Sequence, residues 1–289
     1  MSISDLCGTI RVHQWVKNLF IFLPAFFGQA LSLDSLLPLT LAFFSFSLSA
    51  SAVYIFNDII DASSDRLHKQ KKNRPIASGA IDKKAALFLA GILVTVSLSM
   101  AYFLDNLFFA ACIVYLIQNI LYSIWLKKLS LIDITIISLG FLLRLFAGGV
   151  IVGIPVSNWM YIMAFLLAML LALGKRRDDL LILKNEGHRM RQAIDGYNLG
   201  FVNMISVMLS GIIVVSYIMY TLSPDVMERV GSPYVYVTSL FVFLGVLRYL
   251  QLALVYDNTG SPTLILLSDN PVRLSVLGWL ITFGYLLYF

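Results

Sequence analysis

The sequence predicts an all-α, polytopic membrane protein with nine transmembrane helices, and three observations carry that expectation. Hydrophobic residues fill 59% of the 289 positions and charged residues 13%, whereas a soluble domain carries about 25% charged residues. Mean hydropathy is +0.85. The apolar residues fall in long runs broken by short polar turns, with room for about nine spans of roughly 20 residues each. The chain reads as one integral membrane domain over residues 1–289.

The amino-terminal stretch SISDLCGTIRVHQWVKN is short and mildly amphipathic. Its Arg11, His13, Trp15 and Lys17 suit a membrane interface. Met1 to Thr9 has no basic n-region, so no cleavable signal peptide is expected. The first span runs from Leu19 to Leu31 with Pro24 inside it, and Ser32 to Ser35 makes a turn. The second begins near Leu36 and continues for about 29 residues to Ser64, longer than the roughly 30 Å hydrocarbon core requires. Its acidic end therefore stands at or beyond the membrane edge. Ser45, Ser47, Ser49 and Ser51, with Ala50 and Ala52, make this helix small-faced and suited to close packing.

The third span is Ala85 to Leu104, followed by a tight turn at Asp105 and Asn106. The fourth runs from Leu107 to Trp125. The fifth, Ile134 to Val152, carries Arg144 in its middle and Gly148, Gly149 and Gly153 at its far end. The sixth is Trp159 to Leu173, the seventh Phe201 to Leu222, the eighth Tyr234 to Val255 with Arg248 inside, and the ninth Val272 to Phe289. Two longer polar loops, 62–84 and 174–200, are expected to cap a site.

Charge sets the orientation. With the amino terminus in the cytoplasm, 18 of the 21 basic residues fall in cytoplasmic segments. Arg229 alone lies in an outer loop, and Arg144 and Arg248 lie within spans. That asymmetry places a multi-pass protein in a plasma (inner) membrane with both long loops inside. It also explains the net charge of +5 without nucleic acid as a partner. Cys7 and Cys112 are too few for a disulfide framework.

The stretch Tyr54 to Gly79, YIFNDIIDASSDRLHKQKKNRPIASG, is the most informative. Asp58, Asp61 and Asp65 are spaced three and four apart, so a helix puts them on one face. Carboxylates stacked this way repel, and at a membrane boundary they need a neutralising cation. With Asn57 they form an oxygen-only set suited to Mg2+, which usually brings substrate phosphates with it. Arg66, His68, Lys71, Lys72 and Arg74 follow at once. Each half alone reads as ordinary: a solvated helix end, and a basic loop obeying the positive-inside rule. Together they point to a diphosphate ester held through Mg2+.

Other constellations are less specific. In YSIWLKKLSLID, Tyr122 to Asp133, Lys127 is placed to reach a phosphate and Asp133 to assist a metal or a ribose; anchoring at the membrane edge is the plain alternative. Arg144 lies mid-span, where a guanidinium requires a polar interior or an acidic partner. Arg248 is near enough to the cytoplasmic end to snorkel. In GKRRDDL, Gly174 to Leu180, Lys175 either pairs with Asp178 or Asp179 on a helix face or joins Arg176 and Asp179 in a second set of phosphate and metal contacts. No Walker loop, dinucleotide fingerprint, CxxC pair or HExxH is present. The histidines sit in basic loops, and no Ser/His/Asp triad is supported.

NDIIDASSDR on the second span resembles the NDxxDxxxD motif of the UbiA superfamily of membrane prenyltransferases. With RVHQWVKN, DRLHKQKKNRPIASG, YSIWLKKLSLID, GFLLRLFAGG and GKRRDDL, the resemblance covers nearly the whole chain and narrows to the branch that moves phosphoribose onto decaprenyl-type phosphates. Prenyl-diphosphate enzymes of the superfamily carry a second DxxxD after the sixth span, and KRRDD stands there instead. Lys69 also departs from the branch, which often has Pro after its His.

The resemblance implies a UbiA-type bundle and a transferase. It implies transfer of 5-phosphoribose from phosphoribosyl diphosphate to a polyprenyl phosphate lipid, releasing diphosphate. Asn57, Asp58, Asp61 and Asp65 would hold Mg2+. Asp58, Asp61, Asp65 and Lys127 would be catalytic. Lys17, Arg66, His68, Lys71, Lys72, Arg74, Tyr122, Asp133, Arg144, Lys175, Arg176 and Asp179 would bind substrate. Arg144 would meet the acceptor phosphate or a carboxylate. The product would feed a cell envelope glycolipid or polysaccharide. Two rivals remain: prenyl transfer to an aromatic or other acceptor on the same fold, and a transporter, for which no clear internal repeat is found.

Overall fold

The computed structural model describes residues 3–66, 71–187, 191–258, 265 and 268–288. His68 therefore lies outside the described residues. Those residues are helical wherever they are regular, with no strand among them. Packing divides the chain into two compact units, residues 1–127 with 140–156, and residues 128–139 with 157–289.

The first unit contains α1 (Ile3–Ile10), a 3-10 helix (Val12–Phe22), α2 (Leu23–Phe27), α3 (Leu33–Arg66), α4 (Pro75–Ser78), α5 (Lys83–Leu104) and α6 (Asn106–Ile124). It also takes the later part of α7 (Ile132–Val152). The centre is α3. Its Ser45, Ser47, Ser49 and Ser51 are fully buried, and Ser45 and Ser49 replace bulk with hydrogen bonds to α5. Ser45 donates to the Ser97 carbonyl at 2.9 Å, Ser97 donates back to the Ser45 carbonyl at 2.6 Å, and the Ser49 and Ser97 hydroxyls lie 2.7 Å apart. Small side chains let the two backbones approach, as the serine and alanine run predicts. Phe46, Phe108, Ala111, Cys112 and Tyr115 fill the space beside them. Asp105 ends α5 and caps α6, accepting from the Leu107 and Phe108 amides at 2.7 and 3.0 Å, the tight turn expected there.

The second unit holds the start of α7, α8 (Asn158–Glu186), α9 (Leu199–Thr221), α10 (Pro224–Val230), a 3-10 helix (Pro233–Thr238), α11 (Ser239–Leu254) and α12 (Asn270–Tyr288). Its core joins Ile134, Leu170, Leu173, Ile194, Val202, Leu209 and Leu252. The loop expected over 174–200 is helical as far as Glu186. Buried Leu173, Arg176, Arg177 and Leu180 continue the three-and-four spacing of an inward face. Gly187, at φ 69°, ends the helix in the left-handed conformation.

Eight helices among the described residues are long and apolar enough to cross a membrane: α3, α5, α6, α7, α8, α9, the run Pro233–Leu254, and α12. The span expected over Leu19–Leu31 is not among them. A 3-10 helix gives way there to five residues of α-helix, which stop at Gly28. Pro24 lies in the first turn of that short helix, where its missing amide hydrogen is tolerated and its ring disfavours α-helix over the preceding turn.

Close approach fixes one glycine in the first unit. A Cβ on Gly148 would sit 2.0 Å from the Ile21 carbonyl oxygen and 2.8 Å from its carbon, both main-chain atoms. Overpacking typically costs about 1–3 kcal/mol, and main chain cannot rotate away. Gly148→Ala is expected to fall at the upper end and lower the unfolding midpoint in detergent by several degrees. Gly91→Ala, whose Cβ meets nothing within 4 Å, serves as the control and leaves the midpoint unchanged or raised.

Candidate active site

One face of α3 carries Ser47, Ser51, Tyr54, Asp58, Asp61 and Asp65 at alternating intervals of four and three residues, the spacing of a helical stripe. The amino-terminal 3-10 segment lies along it. The Asn18 amide donates to Ser47 Oγ at 2.8 Å, and Trp15 Nε1 donates to Ser51 Oγ at 3.0 Å. Ser51 Oγ donates to the Ile10 carbonyl at 2.7 Å. Arg11 closes the row, its guanidinium 5.0 Å from the Tyr54 ring and bonded to Asp58 Oδ1 at 2.5 Å.

The acids are held by cations from distant parts of the chain. Arg74 Nη1 lies 3.0 Å from Asp58 Oδ1 and 2.7 Å from Asp65 Oδ2. Lys127 Nζ lies 2.6 Å from Asp61 Oδ1 and 3.1 Å from Asn57 Oδ1. The Asn57 amide donates to Asp61 Oδ2 at 3.0 Å, which orients both side chains. Asp58 and Asp65 are each only 4% exposed, where an unpaired carboxylate would be strongly destabilising.

Three acids on one stripe suggest a single ion gripped by all three. Paired as they are with cations, no three Asp, Glu, His or Cys side chains form a ready metal cluster among the described residues. The oxygens converge in two places instead, Asp58 with Asp65 and Asp61 with Asn57. The acids share a face, but their carboxylates turn to different cations, Asp58 and Asp65 to Arg74 and Asp61 to Lys127. The donor set still fits a hard divalent ion. Each point of convergence is marked by a nitrogen cation standing where oxygens already meet, and every donor is a carboxylate or amide oxygen.

Other nominated residues distribute unevenly. Arg66 Nε donates to the Ala77 carbonyl at 2.9 Å, pinning the end of α3 to α4 rather than facing the stripe. Lys72 is exposed, and Lys71 and Tyr122 are half-buried. Lys17 and Arg144 sit at the Asn18 end of the stripe: Asn18 adjoins the one, and its Oδ1 accepts from Arg144 Nε at 2.7 Å.

In the second unit Asp133, Arg176 and Asp179 form a closed network. Arg176 Nε donates to Asp133 Oδ2 at 2.5 Å and its Nη1 to Asp179 Oδ2 at 3.1 Å. Tyr197 donates to Asp133 Oδ1 at 2.7 Å, and Arg191 lies 3.2 Å from Asp179. Asp133 is 0% and Arg176 1% exposed, and their ion pair holds the start of α7 to α8. Lys175 is half-buried beside them in sequence. Of the alternatives for KRRDD, pairing within the helix is what Arg176 and Asp179 do.

Arg11, Asn18 and Tyr54 belong to the stripe but were not among the nominated residues. The signal was present in RVHQWVKN, which supplies three polar side chains at helical intervals. Nothing in the sequence tied it to an aspartate 47 positions away.

Known proteins resemble this chain over most of its length. The model of the UbiA prenyltransferase family matches residues 18–267. A decaprenyl-phosphate phosphoribosyltransferase of Mycolicibacterium smegmatis is 30% identical over 99% of this chain and 93% of its own length. One of Corynebacterium glutamicum is 28% identical over 96% and 84%. Among solved structures, a UbiA homologue of Archaeoglobus fulgidus bound to GPP and Mg2+ superposes with a TM-score of 0.72. It is 22% identical and covers 97% of this chain and 98% of its own, a likeness of fold.

The buried network makes a separable prediction. Removing one partner of a buried ion pair costs about 3–5 kcal/mol, whereas replacing both with apolar residues is often neutral. Asp133→Asn should lower unfolding stability by about that amount, and Asp133→Leu with Arg176→Met should recover most of it. Denaturant titration of the three proteins in one detergent measures both.

Proposed function

The chain belongs to the UbiA prenyltransferase family, and from that premise we propose that it moves 5-phosphoribose from phosphoribosyl diphosphate to a polyprenyl phosphate, releasing diphosphate. It is a multi-pass membrane transferase. The observation that carries the finer reading is the layer where α3 ends: carboxylates and cations from four segments of the first unit meet at two points. A diphosphate and its divalent ion present the matching pattern of charge. The full-length likeness to the two phosphoribosyltransferases supports ribosyl over prenyl transfer, as does the commitment of Arg176 to Asp133 where a second acidic motif would otherwise stand.

Asp58 and Asp65 would hold one side of the ion and Asp61 with Asn57 the other. Mg2+ bound there would supply Lewis-acid charge to the departing diphosphate. Arg74 and Lys127, released from their carboxylates, would turn to phosphate oxygens and offset the charge that grows on the leaving group. The bond from ribose C1 to the diphosphate oxygen breaks, and C1 joins an oxygen of the lipid phosphate. Positive charge develops at C1, as in glycosyl transfer generally. The acceptor is already an anion, so the chain needs no strong general base. On this reading the amino terminus and the site face the cytoplasm of a plasma membrane.

Purified protein incubated with labelled phosphoribosyl diphosphate, decaprenyl phosphate and Mg2+ should form a labelled lipid, and chelation of the metal should abolish it. Asp61→Asn keeps the shape of the side chain and should slow transfer by roughly 100-fold or more, the scale of losing one charge-stabilising group. Prenylation of an aromatic acid from a prenyl diphosphate, with no labelled phosphoribosyl lipid, would reverse the assignment.

A further inference from the structure

In the second unit, α12 is the span least enclosed by the rest of the chain. Only 11% of its apolar window is buried, the smallest share of the eight spans. It leans on α11: a Cβ added to Gly278 would sit 2.4 Å from the Phe241 ring. Beside that contact the two helices leave an open groove of about 560 Å³. On α11 its wall is Leu244, Leu247, Arg248 and Gln251, one helical stripe. On α12 the wall is Pro271, Leu274 and Ser275. Leu244, Leu247 and Leu274 are all exposed, a surface for acyl chains to cover. Arg248 and Gln251 lie in the last two turns of α11 and Pro271 in the first turn of α12. The groove is therefore polar at one end and apolar along the rest.

Arg248 is fixed at the polar end. Its Nη2 lies 2.8 Å from Asp269 Oδ2, and its Nε 3.3 Å from both Asp269 oxygens. Its Nη1 donates to Gln251 Oε1 at 2.6 Å, and the guanidinium stands 5.7 Å from the Tyr256 ring. A snorkelling arginine would reach past the rim to water, whereas this one is held at the rim by one edge. A guanidinium carries five N–H donors, more than Asp269 and Gln251 take up. Asp269 also accepts from the Val272 amide at 3.0 Å, which caps α12. On the far flank of that first turn Arg273 is exposed and donates to Asn270 Oδ1. No charged residue lies between Asp257 and Asp269 in the sequence, and Asp257 is paired with Arg177. Arg248 and Arg273 against Asp269 leave this end with a surplus of positive charge.

We propose that this groove holds an acyl chain of an anionic bilayer phospholipid, whose phosphodiester rests on the open edge of Arg248. The order of the lining matches the order of the ligand: leucines for the chain, the guanidinium for the phosphate, Gln251 for headgroup hydroxyls. Guanidinium N–H groups match phosphate oxygens in geometry as well as charge, and basic places between spans suit anionic headgroups. A zwitterionic lipid would bring an ammonium as well, and the carboxylate at the rim is already engaged by Arg248 and the Val272 amide. The groove volume falls in the range of roughly 300–1,000 Å³ common to sites for small molecules. The groove opens to the bilayer, where phospholipid is the abundant solvent, and the proposal does not rest on the phosphoribosyl-transfer reading.

Native mass spectrometry of the intact chain, released from detergent with added lipid, tests this. Phosphatidylglycerol is the anionic probe, phosphatidylcholine with the same acyl chains its zwitterionic control, and farnesyl phosphate a competitor. Phosphatidylglycerol is expected to bind about tenfold more tightly than phosphatidylcholine, and Arg248→Gln to bring the two within about twofold. Leu274→Trp fills the groove from an exposed position and leaves the charges in place. It should weaken phosphatidylglycerol about fivefold, while Leu87→Trp on the exposed face of α5 leaves binding unchanged. Equal binding of the two lipids overturns the proposal, as does a preference that survives either groove variant. If Arg248→Gln fails to fold, Leu274→Trp decides alone. Displacement of phosphatidylglycerol by an equal concentration of farnesyl phosphate would give the groove to an isoprenoid phosphate. A dimer in place of lipid adducts would give it to a second copy of the chain, and either result also overturns the proposal. Turnover plays no part in the readout, so failure here and failure of the proposed reaction are separate results.

Discussion

The first unit is organised by one nitrogen atom, Nη1 of Arg74, shared between Asp58 and Asp65 at 3.0 and 2.7 Å. The two carboxylates lie on neighbouring turns of α3 and are almost wholly buried. Alone they would repel each other and suffer desolvation, and burial of one unpaired charge is worth several kcal/mol. The guanidinium removes both problems at once. It also dictates where the chain goes next: Arg74 precedes Pro75 at the start of α4, and Arg66 ties the Ala77 carbonyl to the end of α3. The basic segment is thereby folded back onto the acids that precede it.

The amino terminus answers to the same layer. Arg11 sits at φ 53° and ψ 51°, a left-handed conformation that costs a non-glycine residue on the order of 1–2 kcal/mol. The ion pair with Asp58 and the contact over Tyr54 offset that cost. From there Trp15 and Asn18 follow the polar stripe of α3 inward. A 3-10 helix, with three residues per turn, eclipses side chains at i and i+3, which sets Gln14 and Lys17 in one file and Trp15 and Asn18 in another. Pro24 then starts a short α-helix that stops at Gly28.

How much of this was legible depends on distance along the chain. The aspartate stripe was readable because helical spacing is a local property, and the buried serines because small residues announce close packing. The partners of the stripe were not. Lys127 lies 66 positions from Asp61 and Arg11 lies 47 from Asp58, and no periodicity connects them. Lys127 was nominated as a phosphate contact, not as the partner of Asp61, while Arg11 was passed over as an interfacial residue. KRRDD misled for a related reason. Charge density reads as a loop, but Leu180 and Leu183 carry the inward face of α8 onward, and Arg176 is buried because Asp133 waits for it. Composition cannot distinguish a charged helix that is paired internally from one that meets solvent.

The pairing of acids with cations bears on how the proposed reaction would assemble. A divalent ion arriving alone would displace Arg74 and Lys127 and leave two cations without partners in a confined place. A diphosphate arriving alone would face three carboxylates. When the two arrive as one complex, each carboxylate exchanges nitrogen for metal and each cation exchanges carboxylate for phosphate oxygen. No charged group is stranded at any point in that exchange, and the net charge of the layer changes little. Joint entry is therefore the route that avoids the desolvation and repulsion terms that dominate buried charges. On the proposed reading the ion pairs would be the resting half of such an exchange, and they hold the acidic end of α3 to the segments around it.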